Sequence, residues 1–284
     1  MKKNVIITAD STCDLSKETV EKRNIVITPL TILLGDESHV DGVDIQPDDI
    51  YEYVEKYGIL PKTSAITPIQ YNDVFKKYTD MDCEIVHIGL SSAISSSYQN
   101  AKMVAESFDG VYTVDSKSLC SGMGLLVLKA CDMRDEGMSA AEIAEKLKEY
   151  QKKISCTFVI DTLQYLYHGG RCSRLTMFGA NVLNIKPSIA VNNETGELAV
   201  SKKYKGKTES VYMQYAEHVM ENVENMDKKR IFIGHSGVSQ EIIQKIYDLV
   251  KSKADFEEIL VIRAGCTISS HCGPGTLTIM YMEK

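Results

Sequence analysis

From Asn4 to Lys153 short apolar runs alternate with stretches of helical period. "NVIITAD" reads as a buried strand, "DLSKETVEKRN" as a short helix opened by Asp14 or Ser16, and "IVITPLTILLG" as a second apolar strand. After the turn-rich "DGVDIQ", Pro47 followed by Asp48 and Asp49 opens a helix that runs to Gly58. "ILPKTSAITP" reads as a proline-bracketed loop, and "IQYNDVFKKY" as the next helix. A strand at "CEIVHI", a helix through "YQNAKMVAESF", a strand at "GVYTVD" and helices over about 120–135 and 139–153 complete the series. Strands separated by helices are joined by crossovers, which predicts a mainly parallel sheet covered on both faces, a three-layer α/β unit.

From Cys156 the pattern changes. "CTFVI" leads to a short helix ended by Gly169 and Gly170, and "IKPSIAVNNETGELAVSKKY" reads as two strands joined by an Asn-Glu-Thr-Gly turn. A helix over about 208–223, strand "RIFIGH", helix "QEIIQKIYDLVKS", strand "EILVIRAG" and a last strand "TLTIMYM" follow. A hairpin-containing sheet with helices packed on it is an α+β arrangement. The chain of 284 residues therefore divides near residue 153, into units spanning 1–153 and 154–284.

A net charge of −7, with "KKYKGK" (202–207) as its one basic block, argues against a protein that grips phosphate backbones, so no nucleic-acid partner is expected. No apolar run reaches the length of a membrane span, and the stretch before Asp10 is too short for a signal peptide, which places the protein in the cytoplasm. Eight cysteines, at 13, 83, 120, 131, 156, 172, 266 and 272, show no C-x-x-C pair and read as reduced thiols. Cys266, His271 and Cys272 lack the second ligand pair of a zinc site, so no metal is expected.

Three polar turns remain. "GLSSAISSSYQNA", residues 89–101, puts five serines between a strand and a helix, where open parallel sheets bind ligands. One or two of these hydroxyls serve to cap the helix; the others, with the bare N–H groups of its first turn, suit an anion. In "PKTSAITP", Thr63 and Ser64 are held between Pro61 and Pro68, either as an ordinary rigid loop or as fixed hydroxyl donors. In "SSHCGPGT", His271 precedes a Gly-Pro-Gly turn that enters the last strand. A serine nucleophile is weighed as well: "IGHSGV" places Gly234 and Ser236 as a nucleophile elbow requires, but Val238 stands where the second glycine belongs. "GLSSA" fails likewise at Ala93, and neither a G-x-x-x-x-G-K-[ST] loop nor a G-x-G-x-x-G fingerprint is present.

Taken together, "ITADSTCDL", "PKTSAITP", "GLSSAISSSYQNA", "VYTVDSKSLCSGMG", "IDTLQYLYHGGRCS" and "HCGPGT" resemble the DegV family of bacterial fatty-acid-binding proteins, in family order from residue 6 to residue 276. The resemblance implies a DegV-like two-domain α/β fold related to a dihydroxyacetone kinase subunit, in which the first unit carries the carboxylate-binding turns and the second closes a lipid tunnel. It implies a long-chain fatty acid as bound ligand, no cofactor, and presentation of the acid to a separate ATP-dependent fatty acid kinase for acyl phosphate formation. The protein itself is then a carrier in phospholipid metabolism and not an enzyme, in transient contact with a membrane but without an integral segment. By motif position Thr63 and Ser95 hold the carboxylate. Ser96 stands where the family has glycine and Ser97 where it has threonine, and the added bulk of Ser96 narrows the approach. Arg171, after Gly-Gly, and His271 are implied near the head group; with Ser64 and Ser96 they form the outer, ligand- or kinase-facing set. Set in turns, His271 and Arg171 are expected at a flexible rim and to matter more for transfer than for holding the lipid. The rival class is an enzyme, a serine hydrolase or a dihydroxyacetone-kinase-like subunit.

Hydroxyl donors can hold a carboxylate while leaving its oxygens able to attack a phosphoryl donor. Affinity comes from the tail: at ~0.8 kcal/mol per buried CH₂, about fourteen methylenes contribute on the order of 11 kcal/mol, against about 1 for a neutral hydrogen bond.

Overall fold

The computed structural model describes residues 3–171 and 185–284. β1 (Asn4–Asp10), β2 (Ile25–Thr28), β6 (Cys83–Gly89) and β7 (Val111–Asp115) form a four-stranded, wholly parallel sheet in the order β2-β1-β6-β7. Its strands are apolar on both sides, as burial on both faces demands. Val5, Ile7, Ala9, Val86 and Ile88 face α5 (Cys120–Asp135) and α6 (Ala140–Gln151), whereas Ile6 and Ile85 face α3 (Pro68–Thr79) and α4 (Ser97–Ala105).

The second sheet has six strands in the order β10-β9-β8-β13-β11-β12. β8 (Ile154–Val159), β9 (Ile185–Val191), β10 (Leu198–Lys205), β11 (Met226–Ser236) and β13 (Thr276–Glu283) pair antiparallel, and β12 (Glu258–Arg263) adds a parallel edge to β11. Alternation along these strands makes two cores. Phe158, Phe232, Met280 and Met282 point toward α5, while Val159, Ile231, Ile233, Leu277 and Ile279 pack under α8 (Thr208–Met220) and α9 (Gln240–Lys253). The strands change sheet between α6 and β8.

α5 lies between the two sheets and buries thirteen of its sixteen residues. A helix apolar all round must be enclosed. Its glycines permit the approach: a methyl group at Gly122 would stand 2.3 Å from Ser118 Oγ, and one at Gly124 2.8 Å from the Cys13 carbonyl oxygen. At its far end Asp132 accepts hydrogen bonds from Arg230 Nη1 at 2.5 Å and Arg23 Nη2 at 2.9 Å, an ion cluster that joins the two halves.

Three local expectations are corrected. "IVITPLTILLG" is not one strand: the chain leaves the parallel sheet around Pro29, and β3 (Thr31–Leu34) pairs antiparallel with β4 (Glu37–Val40) and β5 (Lys62–Ser64) in a small third sheet. A proline lacks the N–H that would continue a ladder. The proline-bracketed "PKTSAITP" accordingly contains β5 and is not only a loop. "SSHCGPGT" is not a turn throughout, because α10 (Cys266–Cys272) carries His271. α1 (Lys17–Lys22) starts after Ser16, whose side chain accepts from Thr19 N–H, and α2 (Pro47–Tyr57) starts at Pro47, both as read from the sequence. Among the described residues no helix is long and apolar enough to cross a membrane.

Candidate functional site

Four elements converge on one cavity of about 570 Å³: β5, the serine turn before α4, the segment after α7 (Gln164–His168), and α10. Thr63, Ser95, Arg171 and His271 line it together with Leu30, Leu90, Ile94, Leu119, Phe158, Leu166 and Ile268. A second hollow of about 330 Å³ shares the walls Leu119, Phe158, Ile268 and Cys272 and runs inward along Gly234, Thr278 and Met280. A few convergent polar groups at one end of a long apolar recess is the usual build of a small-molecule site.

The five serines of the turn have different duties. Ser91 is fully buried and donates to the Gly196 carbonyl at 3.2 Å. Gly196, at φ +78° in the β9–β10 turn, sits so close that a Cβ would lie 2.1 Å from Ser91 Oγ. Ser92 Oγ accepts from Lys117 Nζ at 3.0 Å. Ser97, also buried, accepts from Ile66 N–H at 3.2 Å and meets Ser95 Oγ at 2.9 Å. Ser95 Oγ further accepts from Ser97 N–H at 3.1 Å. When Ser97 gives its proton to Ser95, the Ser95 hydrogen is left to donate into the cavity. The helix opens at Ser97, and Ser96 at the cap position makes no side-chain cap bond. The N–H groups of Ser95 and Ser97 are bonded within the turn, so the anion-holding capacity rests on side chains more than on a bare helix start.

Below the turn Asp10 is fully buried and accepts from Tyr71 Oη at 2.6 Å and from Leu90 N–H at 2.8 Å, which fixes the strand end from which the serines depart.

Thr63 Oγ1 lies 2.8 Å from His271 Nε2. His271 Nδ1 is buried without a partner among the described residues. A buried N–H without an acceptor costs more than a bare ring nitrogen, so the favoured tautomer carries its proton on Nε2 and donates to Thr63. The threonine hydroxyl hydrogen is then available to a ligand. Burial, and next the charge of Arg171, pushes the His271 pKa down to about 4, which keeps the ring neutral near pH 7. The flexible-rim expectation is thereby corrected: His271 stands on a helix against Thr63, inside the head of the cavity. Arg171 donates to the Gly169 carbonyl through Nη1 at 2.6 Å and to the Ile94 carbonyl through Nε at 3.3 Å. Ser64 and Ser96 are exposed and lie outside the lining, Ser64 because neighbours on a strand alternate in direction.

Two aspartates that the sequence did not mark for the site position α10. Asp14 Oδ1 accepts from Gly265 N–H at 3.1 Å, and Asp41 accepts from Cys266 N–H at 2.9 Å and Thr267 Oγ1 at 2.7 Å. Both come from the first half and satisfy the open N–H groups of a helix in the second. Their signal in the sequence is weak: each is an acid beside a short apolar run. Cys266 Sγ turns to the Ile45 carbonyl and Cys272 Sγ to that of Gly273, so the Cys266, His271 and Cys272 set does not converge. Among the described residues no group of three or more metal-ligating side chains is gathered. Seven cysteines are free and buried, and Cys172 lies outside the described residues. Ser236 ends β11, is buried, donates to the Gly273 carbonyl at 2.6 Å and also meets Tyr51 Oη. Its proton is committed to a carbonyl and not to a base.

A profile described as "Uncharacterised protein, DegV family" matches residues 4–284. A DegV domain-containing protein of Clostridium perfringens is 32% identical over 290 residues, covering all of both chains. The chain belongs to the DegV family. Among solved structures, that of a DegV family protein from Thermus thermophilus, described by its fatty acid binding, superposes with a TM-score of 0.90 at 24% identity, over 99% of this chain and all of that one. The fatty acid kinase (Fak) B3 protein of Streptococcus pneumoniae, loaded with linoleic acid, superposes with a TM-score of 0.84 at 23% identity over all of both chains. The DegV fold, a parallel sheet in the first half and a mixed sheet in the second, is thus this chain's fold.

Proposed function

We propose that this DegV protein binds a long-chain fatty acid in the joined cavities and presents its carboxyl group to a separate ATP-dependent fatty acid kinase. The observation that carries the reading is the pairing of an apolar recess with a head lined by Thr63, Ser95, Arg171 and His271. Thr63 and Ser95 donate to the carboxylate, each supported from behind, by His271 and by Ser97 respectively. Arg171 offsets the negative charge at the same end. The tail occupies the hollow past Leu119 and Phe158, where burial of methylenes supplies most of the affinity. The residues 1–153 carry the hydroxyl donors and the residues 154–284 close the cavity, so the division near residue 153 is also a division of labour. The Thermus and Streptococcus relatives, each described as holding fatty acid, support the ligand class, and the kinase name of the latter supports the partner. The proposal includes no cofactor and a cytoplasmic place of work.

Organic extraction of the purified protein followed by mass spectrometry tests this directly. A stoichiometric long-chain fatty acid is expected. A protein that neither carries nor takes up such an acid would refute the proposal.

A further inference from the structure

On the other face of the six-stranded sheet, under α8, lies a separate recess of about 750 Å³. Toward β10 the apolar surface of Val159, Leu277 and Ile279 gives way to Ser155, Thr157 and Ser188, and short hydroxyl side chains leave the space unfilled. A β-bulge shapes its outer wall: the register passes from Val200 opposite Ile189 to Lys202 opposite Ser188, so Ser201 is the extra residue. Leu198 and Val200 side with the α5 core, yet Tyr204 joins the α8 core. Without the bulge, alternation would send Tyr204 to the α5 side; with it, Ser201 and Tyr204 both line the recess. Ser188 secures the bulge, accepting from Lys202 N–H at 3.1 Å and donating to the Lys202 carbonyl at 3.3 Å.

Tyr204 is 4% exposed, and among the described residues its buried hydroxyl makes no close hydrogen bond, leaning only on Ser188, whose own bonds go to Lys202. Such a group asks for an explanation. The neighbouring Tyr215 hydroxyl, by contrast, is taken up by the Thr157 carbonyl at 2.7 Å and the Ile279 N–H at 3.1 Å. The two ionisable lining groups, His218 and Glu221, face each other at 3.1 Å. What remains is hydroxyl and amide, which both donate and accept and carry no net charge.

We infer that this recess binds a small uncharged polyol, a sugar or a glycerol-like molecule, with Tyr204 and Ser201 as its principal hydrogen-bond partners. The site is independent of the lipid cavity, since the sheet itself separates them. Saturation-transfer NMR on the full chain, with glycerol, D-glucose and myo-inositol as probes into the tens of millimolar and inorganic phosphate as the charged control, tests it. Saturable binding of at least one polyol is expected, weakened about fivefold in Tyr204→Phe by loss of one hydrogen bond. Ser155→Leu, which fills the floor, should abolish it with an unchanged thermal melt; should that variant fail to fold, Tyr204→Phe decides alone. No saturable polyol binding, tighter binding of phosphate, or binding indifferent to Tyr204→Phe would each overturn the inference.

Discussion

Thr63 and His271, 208 residues apart in the chain, meet at 2.8 Å and join the small antiparallel sheet of the first half to the last helix of the second. The imidazole fixes which way the hydroxyl hydrogen points. Thr63→Ala and Ser95→Ala should each weaken retention of a fatty acid about fivefold, as befits one hydrogen bond of about 1 kcal/mol, and impair kinase-dependent acyl phosphate formation more. Lipid occupancy by mass spectrometry and transfer by a phosphate assay separate the two effects. Unchanged values of both in the double variant would remove these residues from the head group.

His271 predicts a pH dependence. Its folded pKa of about 4 lies below the ordinary 6.5, chiefly through burial, so the unfolded chain takes up the proton first as pH falls. The stability this group contributes is full above about pH 6.5 and is lost as pH drops through about 4. His271→Gln should flatten that limb of a denaturation series in buffers across this range. It should also reduce transfer more than lipid occupancy, since Thr63 loses its orientation but the tunnel stays.

Asp14 predicts the opposite slope. Burial first, and then the charge of Asp41, raises its pKa from 3.8 to about 8 against the hydrogen bonds that lower it, so the native protein keeps a proton that the unfolded chain has released. Its contribution is full below about pH 3.8 and lost as pH rises through about 8. Asp14→Asn should leave α10 in place and raise the melting temperature at pH 9 relative to wild type. A melting difference that does not grow between pH 6 and pH 9 would contradict the buried-acid reading.

Asp132 is held far below the ordinary carboxylate range: burial works against it, but hydrogen bonds from Arg230, Arg23 and Lys229 prevail. Asp132→Ala leaves the buried Arg230 short of its main partner and should cost about 3–5 kcal/mol in urea unfolding. A loss under about 1 kcal/mol would mean that Glu258 and solvent suffice.

Gly124→Ala should destabilise by about 1–3 kcal/mol, because the new methyl group meets a backbone carbonyl at 2.8 Å and not a movable side chain. Thermal melts decide this.

Periodicity made the parallel sheet, the hairpin at Asn192–Gly196 and most helices legible, since long apolar runs and glycine turns act locally. β4 and β5 escaped because three or four residues carry too little pattern, and β3 was legible as strand but not as separate from β2, since only long-range pairing divides them. Thr63 and Ser95 were readable as motif positions, but the contact of Thr63 with His271 was not, because it depends on how Asp14 and Asp41 seat α10. The walls at Leu119 and Phe158 were equally silent: nothing in an apolar residue tells whether it fills a core or borders a void.

α5 meets water only at Lys129 and at its last residues, Arg134 and Asp135. Drawing the two sheets apart to admit a guest would bare Met123, Leu125, Leu126, Val127, Leu128 and Met133 together, at about 1.5–3 kcal/mol each, a penalty on the order of 10 kcal/mol. The halves therefore resist being drawn apart, and any guest of the proposed site must be accommodated without separating them.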